Sequence, residues 1–115
     1  MKNKPLLPSL KEKKRYVAFE VISKSKIKAF SKITESIYTS AHDFAGDIGL
    51  AAMGLQVLPE KYSEDQKGVL RVSASHLDEL KAAFSLIDEI DGEEVIMRSL
   101  GVSGMLNKAE KYIAS

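Results

Sequence analysis

Apolar and polar residues alternate from Arg15 onward. Arg15, Val17, Phe19 and Val21 fall on one side and Tyr16, Ala18, Glu20 and Ile22 on the other, which predicts a strand with one apolar face. The period then changes. Ile27, Phe30, Ile33, Ile37, Ala41 and Phe44 recur at three- and four-residue steps, predicting a long helix with one buried stripe. Ser23 or Ser25 would cap its start, and Gly46 would stop it. Ala51, Met53, Leu55 and Val57 alternate with Ala52, Gly54 and Gln56, a second strand ended by Pro59. A polar loop over 60–66 leads to a third strand over 68–73, and the two strands pair most simply antiparallel. Ser75 and Asp78 have capping-box spacing before a helix faced by Leu77, Leu80, Phe84 and Ile87. Asp91-Gly92 marks a turn, 94–100 a fourth strand, and Ser103-Gly104 the start of a short helix with Leu106, Ala109 and Ile113 inward.

The order β-α-β-β-α-β plus one helix predicts an α+β, ferredoxin-like (RRM-like) split βαβ fold: an antiparallel sheet with two helices on one face and a C-terminal helix. Residues 1–14 have no periodicity and hold Pro5 and Pro8 among lysines, so they read as a basic extended arm before a single domain over 15–115.

Composition narrows the class. The 115 residues, 44% hydrophobic and 29% charged, suit one globular domain. With no cysteine, disulfides and thiolate zinc sites are excluded. Apolar runs fall far short of the roughly 18 residues that span a bilayer, and the basic N-terminus lacks a signal-peptide core, so a cytoplasmic protein with no membrane association is expected. The net charge of +1 conceals an asymmetry. Residues 1–32 hold ten Lys/Arg against Glu12 and Glu20, a surplus of eight, while the remainder holds seven against fourteen acids. Such a chain can offer a cationic edge to phosphates and keep its acids for another partner.

No catalytic constellation emerges. His42 and His76 stand alone, and Glu64-Asp65, Asp88-Glu89 and Glu93-Glu94 sit beside turns as solvated pairs. There is no phosphate loop, dinucleotide fingerprint or nucleophile elbow. The cations are better placed for RNA. Lys11, Lys13, Lys14 and Arg15 run into the first strand, and Lys24, Lys28 and Lys32, flanked by Lys26, would form one row up the first helix. Such a row repels itself in isolation and becomes favourable against phosphates through counterion release. Around Ser103 and Gly104, backbone amides at a helix start could approach an anion, with Lys108 and Lys111 on the same helix. Base stacking is not expected, because the third strand, Val69-Leu70-Arg71-Val72-Ser73, contains no aromatic and Tyr16 alone makes no platform.

Leu7-Pro8-Ser9-Leu10 followed by Lys13-Lys14-Arg15-Tyr16-Val17-Ala18-Phe19-Glu20-Val21 resembles the opening of the archaeal ribonuclease P protein component 2 family. Gly68-Val69-Leu70-Arg71-Val72, the following helix with Leu80, Ala82-Ala83 and Ile87, and the closing Gly101-Val102-Ser103-Gly104 extend the likeness over nearly the whole chain. It departs at Met105-Leu106-Asn107, where the family usually has threonine, isoleucine and then basic residues. The resemblance implies a non-catalytic subunit of a ribonucleoprotein endonuclease that removes 5′ leaders from precursor tRNA. It implies magnesium held by the catalytic RNA, no cofactor in the protein, and RNA contact through the strand entry and Arg71. It also implies pairing with the component 3 protein in a two-plus-two assembly that includes a possible homodimer. An apolar stripe on Met53, Leu55 and Val57, or the acidic part of the chain, could serve the protein contact. The competing expectation is a ferredoxin-like regulatory module that binds a small ligand near a Gly46-Asp47-Ile48-Gly49 loop.

Overall fold

The computed structural model describes residues 13–114. Strand β1 (Lys14–Ser23) runs through the middle of the sheet. Its alternation aims Val17, Phe19 and Val21 at one core, as the sequence pattern requires. Helix α1 (Phe30–Met53) lays Ile33, Ile37 and Ala41 on that face. Strands β2 (Gln56–Leu58) and β3 (Lys67–Ser73) follow, joined through a 3-10 turn at Pro59–Lys61. Helix α2 (Leu77–Ser85) buries Leu80, Ala83 and Phe84, whose ring meets Phe19 edge-on at 6.1 Å. Strands β4 (Glu89–Ile90) and β5 (Glu93–Ser103) form a hairpin, and α3 (Leu106–Glu110) ends the fold.

The sheet order is β2-β3-β1-β5-β4, with every neighbouring pair antiparallel. This is the expected split βαβ sheet with one short strand added. The Asp91-Gly92 turn behaves as expected: both residues take positive φ, 54° and 84°, which suits a two-residue hairpin whose twist matches its strands. Phe19, Ile33, Ile37, Leu70 and Leu80 are fully buried, each worth about 1.5–3 kcal/mol of transfer free energy.

Several expectations fail for local reasons. Neither Ser23 nor Ser25 caps α1; Ser23 Oγ donates to Ser25 O at 2.7 Å, and the helix starts after Ala29 with no side-chain cap. Gly46 (φ 78°, ψ 179°) breaks the helix without stopping it, and the axis resumes to end at Gly54 in the left-handed region. Ala51, Ala52 and Met53 are therefore helical: alanine and methionine favour helix, and seven alternating residues cannot outweigh that. The second strand shrinks to Gln56–Leu58, and the stretch that follows the Gly46 break, through Gly49, is helix rather than a ligand loop. Met53 and Val57 lie in the core and Leu55 packs against it, so they offer no partner stripe. Phe44, expected in the buried stripe, is 47% exposed. Nor is Ser75 the cap of α2, whose N-cap position falls to His76. A 3-10 turn at Ala74–His76 takes its place, although Asp78 and Glu79 still complement the dipole of α2.

The second face of the sheet is not open throughout. Tyr16, Leu58 and Val69 form a separate small core with Leu106, Ala109 and Ile113 from the α3 end of the chain. This is why Ala18, on the nominally polar side of β1, is fully buried.

Candidate nucleic-acid interface

The first end of β1 gathers cations between two other strand ends. Lys14 pairs with Ser73 of β3, and Tyr16 lies between Arg71 of β3 and Ser103 of β5. Lys13 O accepts the Ala74 amide at 2.8 Å, which ties the residue before β1 to the end of β3. Arg15 Nη1 donates to Lys14 O at 3.1 Å, and a methyl group added to Gly104 would lie 3.5 Å from that same nitrogen. Lys14 Nζ sits over Gly54, 3.0 Å from where a methyl group would stand. Arg71 Nη2 donates to Gln56 Oε1, while its buried Nε has no partner. The Ser103 hydroxyl accepts the Met105 amide at 3.1 Å and so serves the start of α3, which carries exposed Lys108.

Six of the candidate residues therefore share one end of the sheet: Lys13, Lys14, Arg15, Arg71, Ser103 and Gly104; Lys108 stands on α3, which leads away from it. Lys11 lies outside the described residues. The expected lysine row does not form. Lys24 and Lys28 are exposed in the connection before α1, and only Lys32 is on the helix, 3.8 Å from Glu35. Lys26 pairs with Glu64 at 3.1 Å. The row failed because its helical spacing presumed a helix beginning at Ser23 or Ser25, several residues too early. This second group leaves the far end of β1, roughly 30 Å along a ten-residue strand.

Register adds what periodicity could not give. Glu20 faces Lys67 on one side and Arg98 on the other, with Arg98 Nε 3.2 Å from Glu20 Oε1. Lys67 and Arg98 thus belong to the same sheet face as Arg71, a placement that no local motif signals. Lys61 holds Glu110 at 2.6 Å and clamps the Pro59–Lys61 turn to α3; that hydrogen bond and charge raise the lysine's pKa. Among the described residues, no three His, Cys, Asp or Glu side chains gather to hold a metal, and no helix is long and apolar enough to cross a membrane.

An antiparallel α+β sheet whose cations meet at one end defines a class: a small domain with a surface suited by charge and shape to a polyanion backbone. The chain belongs to the Rpp14/Pop5 family, whose sequence profile matches residues 15–114. It is 35% identical to ribonuclease P protein component 2 of Thermococcus kodakarensis, over 99% of this chain and 96% of that one. The corresponding protein of Methanosarcina mazei is 34% identical over 96% and 92%. A chain in the cryo-EM structure of yeast ribonuclease MRP shares the fold at a TM-score of 0.63, with 13% identity, 89% of this chain covered and 86% of that one.

Proposed function

We propose that this chain is a non-catalytic protein subunit of ribonuclease P, the ribonucleoprotein that removes 5′ leaders from precursor tRNA. Family membership and near-full-length likeness to component 2 proteins support that reading. The observation that carries it is the convergence of Lys13, Lys14, Arg15 and Arg71 on one end of the sheet. These cations screen phosphate repulsion, so that the catalytic RNA folds and holds its substrate. Magnesium is the RNA's cofactor in this scheme, and the particle works in the cytoplasm. The α3 cluster lies over the face that an RRM uses for stacking, which favours contact with backbone and shape.

The proposed protein partners are component 3 and a second copy of this chain. Phe44 and Ile48 are 47% and 86% exposed on either side of the Gly46 break and supply apolar surface for such a contact. The test is a salt titration of the full chain on its ribonuclease P RNA. With about four cations engaged, log affinity falls against log salt with a slope of about −3 to −4. A flat response, or no binding in low salt, would refute the reading.

A further inference from the structure

The α3 cluster covers only one end of the second sheet face. At the other end Ile22 of β1 and Ile96 of β5 are direct cross-strand neighbours, 41% and 62% exposed. They line an open cavity of about 610 Å³ together with Lys24, Asp88, Glu89 and Glu94. Glu89 and Glu94 stand opposite each other in the β4–β5 hairpin. Like charges placed so destabilise a strand pair, and among the described residues neither carboxylate has a cation within ion-pair distance. An aliphatic pair beside an uncompensated acidic pair calls for a complement that is both apolar and cationic.

Three occupants fit poorly. RNA would bring phosphates against the carboxylates. A second copy in two-fold contact would set the same acids against themselves. Residues 1–12 join β1 at its other end, and even fully extended their leucines, the first of them seven residues before Lys13, would reach only about 25 Å, short of the roughly 30 Å along the strand. We propose that Ile22, Ile96, Glu89 and Glu94 form a docking ledge for a basic, aliphatic segment of a partner protein, apart from the RNA-facing end. The ledge rests on the ribonucleoprotein reading only for the partner's existence.

The test is an NMR titration of the full ¹⁵N-labelled chain, without RNA, using an amidated peptide of alternating lysine and leucine as the probe. Amide shifts should concentrate at Ile22, Glu89, Glu94 and Ile96. Ile96→Asn, and separately Glu89→Gln with Glu94→Gln, should each weaken binding by at least about fivefold. Leu86→Asn, at an exposed apolar residue that does not line this cavity, should leave binding unchanged. Shifts centred elsewhere, or equal affinity in all variants, would overturn the ledge. So would shifts at Ile22 and Ile96 caused by dilution of the free chain, by deletion of residues 1–12, or by an RNA hairpin. The glutamine variants keep side-chain size, so lost binding in them cannot be ascribed to lost packing. Failure of RNA binding at Lys14 would leave this titration untouched, which separates the two readings.

Discussion

Gln66 Oε1 accepts the Ile27 amide at 2.6 Å, fastening the turn before β3 to the connection that leads into α1. The same side chain donates from Nε2 to Val21 O at 2.8 Å and to Ser23 Oγ at 3.1 Å. Its own carbonyl accepts the Val21 amide at 2.8 Å. One buried glutamine therefore satisfies the backbone where β1 releases the chain toward Lys24 and Lys28. Gln66→Ala strands a buried donor and a buried acceptor and should cost about 2–4 kcal/mol, read from urea unfolding. Gln66→Gly relieves the positive φ of 61° but restores neither bond, so it too should remain clearly destabilised. A loss under about 1 kcal/mol in both variants would show that water replaces the side chain freely.

The two ends of β1 make different predictions for RNA. Replacing Lys13, Lys14 and Arg15 with alanine removes three cations from the cluster shared with Arg71 and Ser103, and should flatten the salt slope by about 2–3. Replacing Lys24, Lys28 and Lys32 removes charges from the far end and should change the slope by less than about 1. Filter binding across a salt series checks both. Equal effects would mean that RNA wraps the whole strand. Thermal midpoints should move little in either set, because exposed or half-exposed cations rarely contribute more than about 0.5 kcal/mol each.

Where the sequence could be read depended on how far each signal reaches. The alternation through Val17, Phe19 and Val21 and the Leu80–Phe84 face are local patterns strengthened by deep burial, and both elements formed as expected. Gly46 shows the limit. A glycine suits a helix stop, but packing of Met53 into the core draws the chain back into helix beyond it. Its φ of 78° and ψ of 179° are open to glycine alone, with nothing within 4 Å of an added methyl group. Gly46→Ala should therefore lose about 1–3 kcal/mol through backbone strain and not through collision. A calorimetric midpoint that stays level would show that the helix can straighten at no cost.

The candidate site was legible in half. Cations that precede a strand are placed by that strand, so Lys13, Lys14 and Arg15 could be assigned from order alone. Lys24, Lys28 and Lys32 needed a correct helix start, which depended on Gln66, 39 residues beyond Ile27. The pairing of Glu20 with Lys67 and Arg98 is a matter of register, and no local spacing encodes it.

Gly101 provides a test of how α3 is seated. The Tyr112 ring lies on it, and an added methyl group would come within 2.5 Å of the ring carbons. Gly101→Ala should displace Tyr112 and loosen α3, lowering stability by about 1–3 kcal/mol. Adding Tyr112→Ala should recover part of that loss, because the obstruction goes with the ring. If the double variant is no better than the sum of the singles, the two residues do not act on each other.

Tyr62 should make the stability of the fold fall at alkaline pH. Its ring packs on Phe30 with centroids 4.4 Å apart, and its hydroxyl is buried without a partner. Burial pushes the phenol up from 10.0 to about 12. Below pH 10 the phenol is protonated in both folded and unfolded chains, and its contribution is constant. Above pH 10 the unfolded phenol ionises while the folded one holds its proton, so stability drains away until about pH 12. Tyr62→Phe should be as stable as the parent or slightly more so at pH 7, since it removes a hydroxyl left unsatisfied. Its thermal midpoint should also fall less steeply between pH 10 and 12. Lys61, whose raised pKa makes its pairing with Glu110 another contribution lost at high pH, is present in both proteins and cancels in the comparison. Parallel alkaline limbs for the two proteins would show that water reaches the Tyr62 hydroxyl and that its buried setting carries no pH dependence.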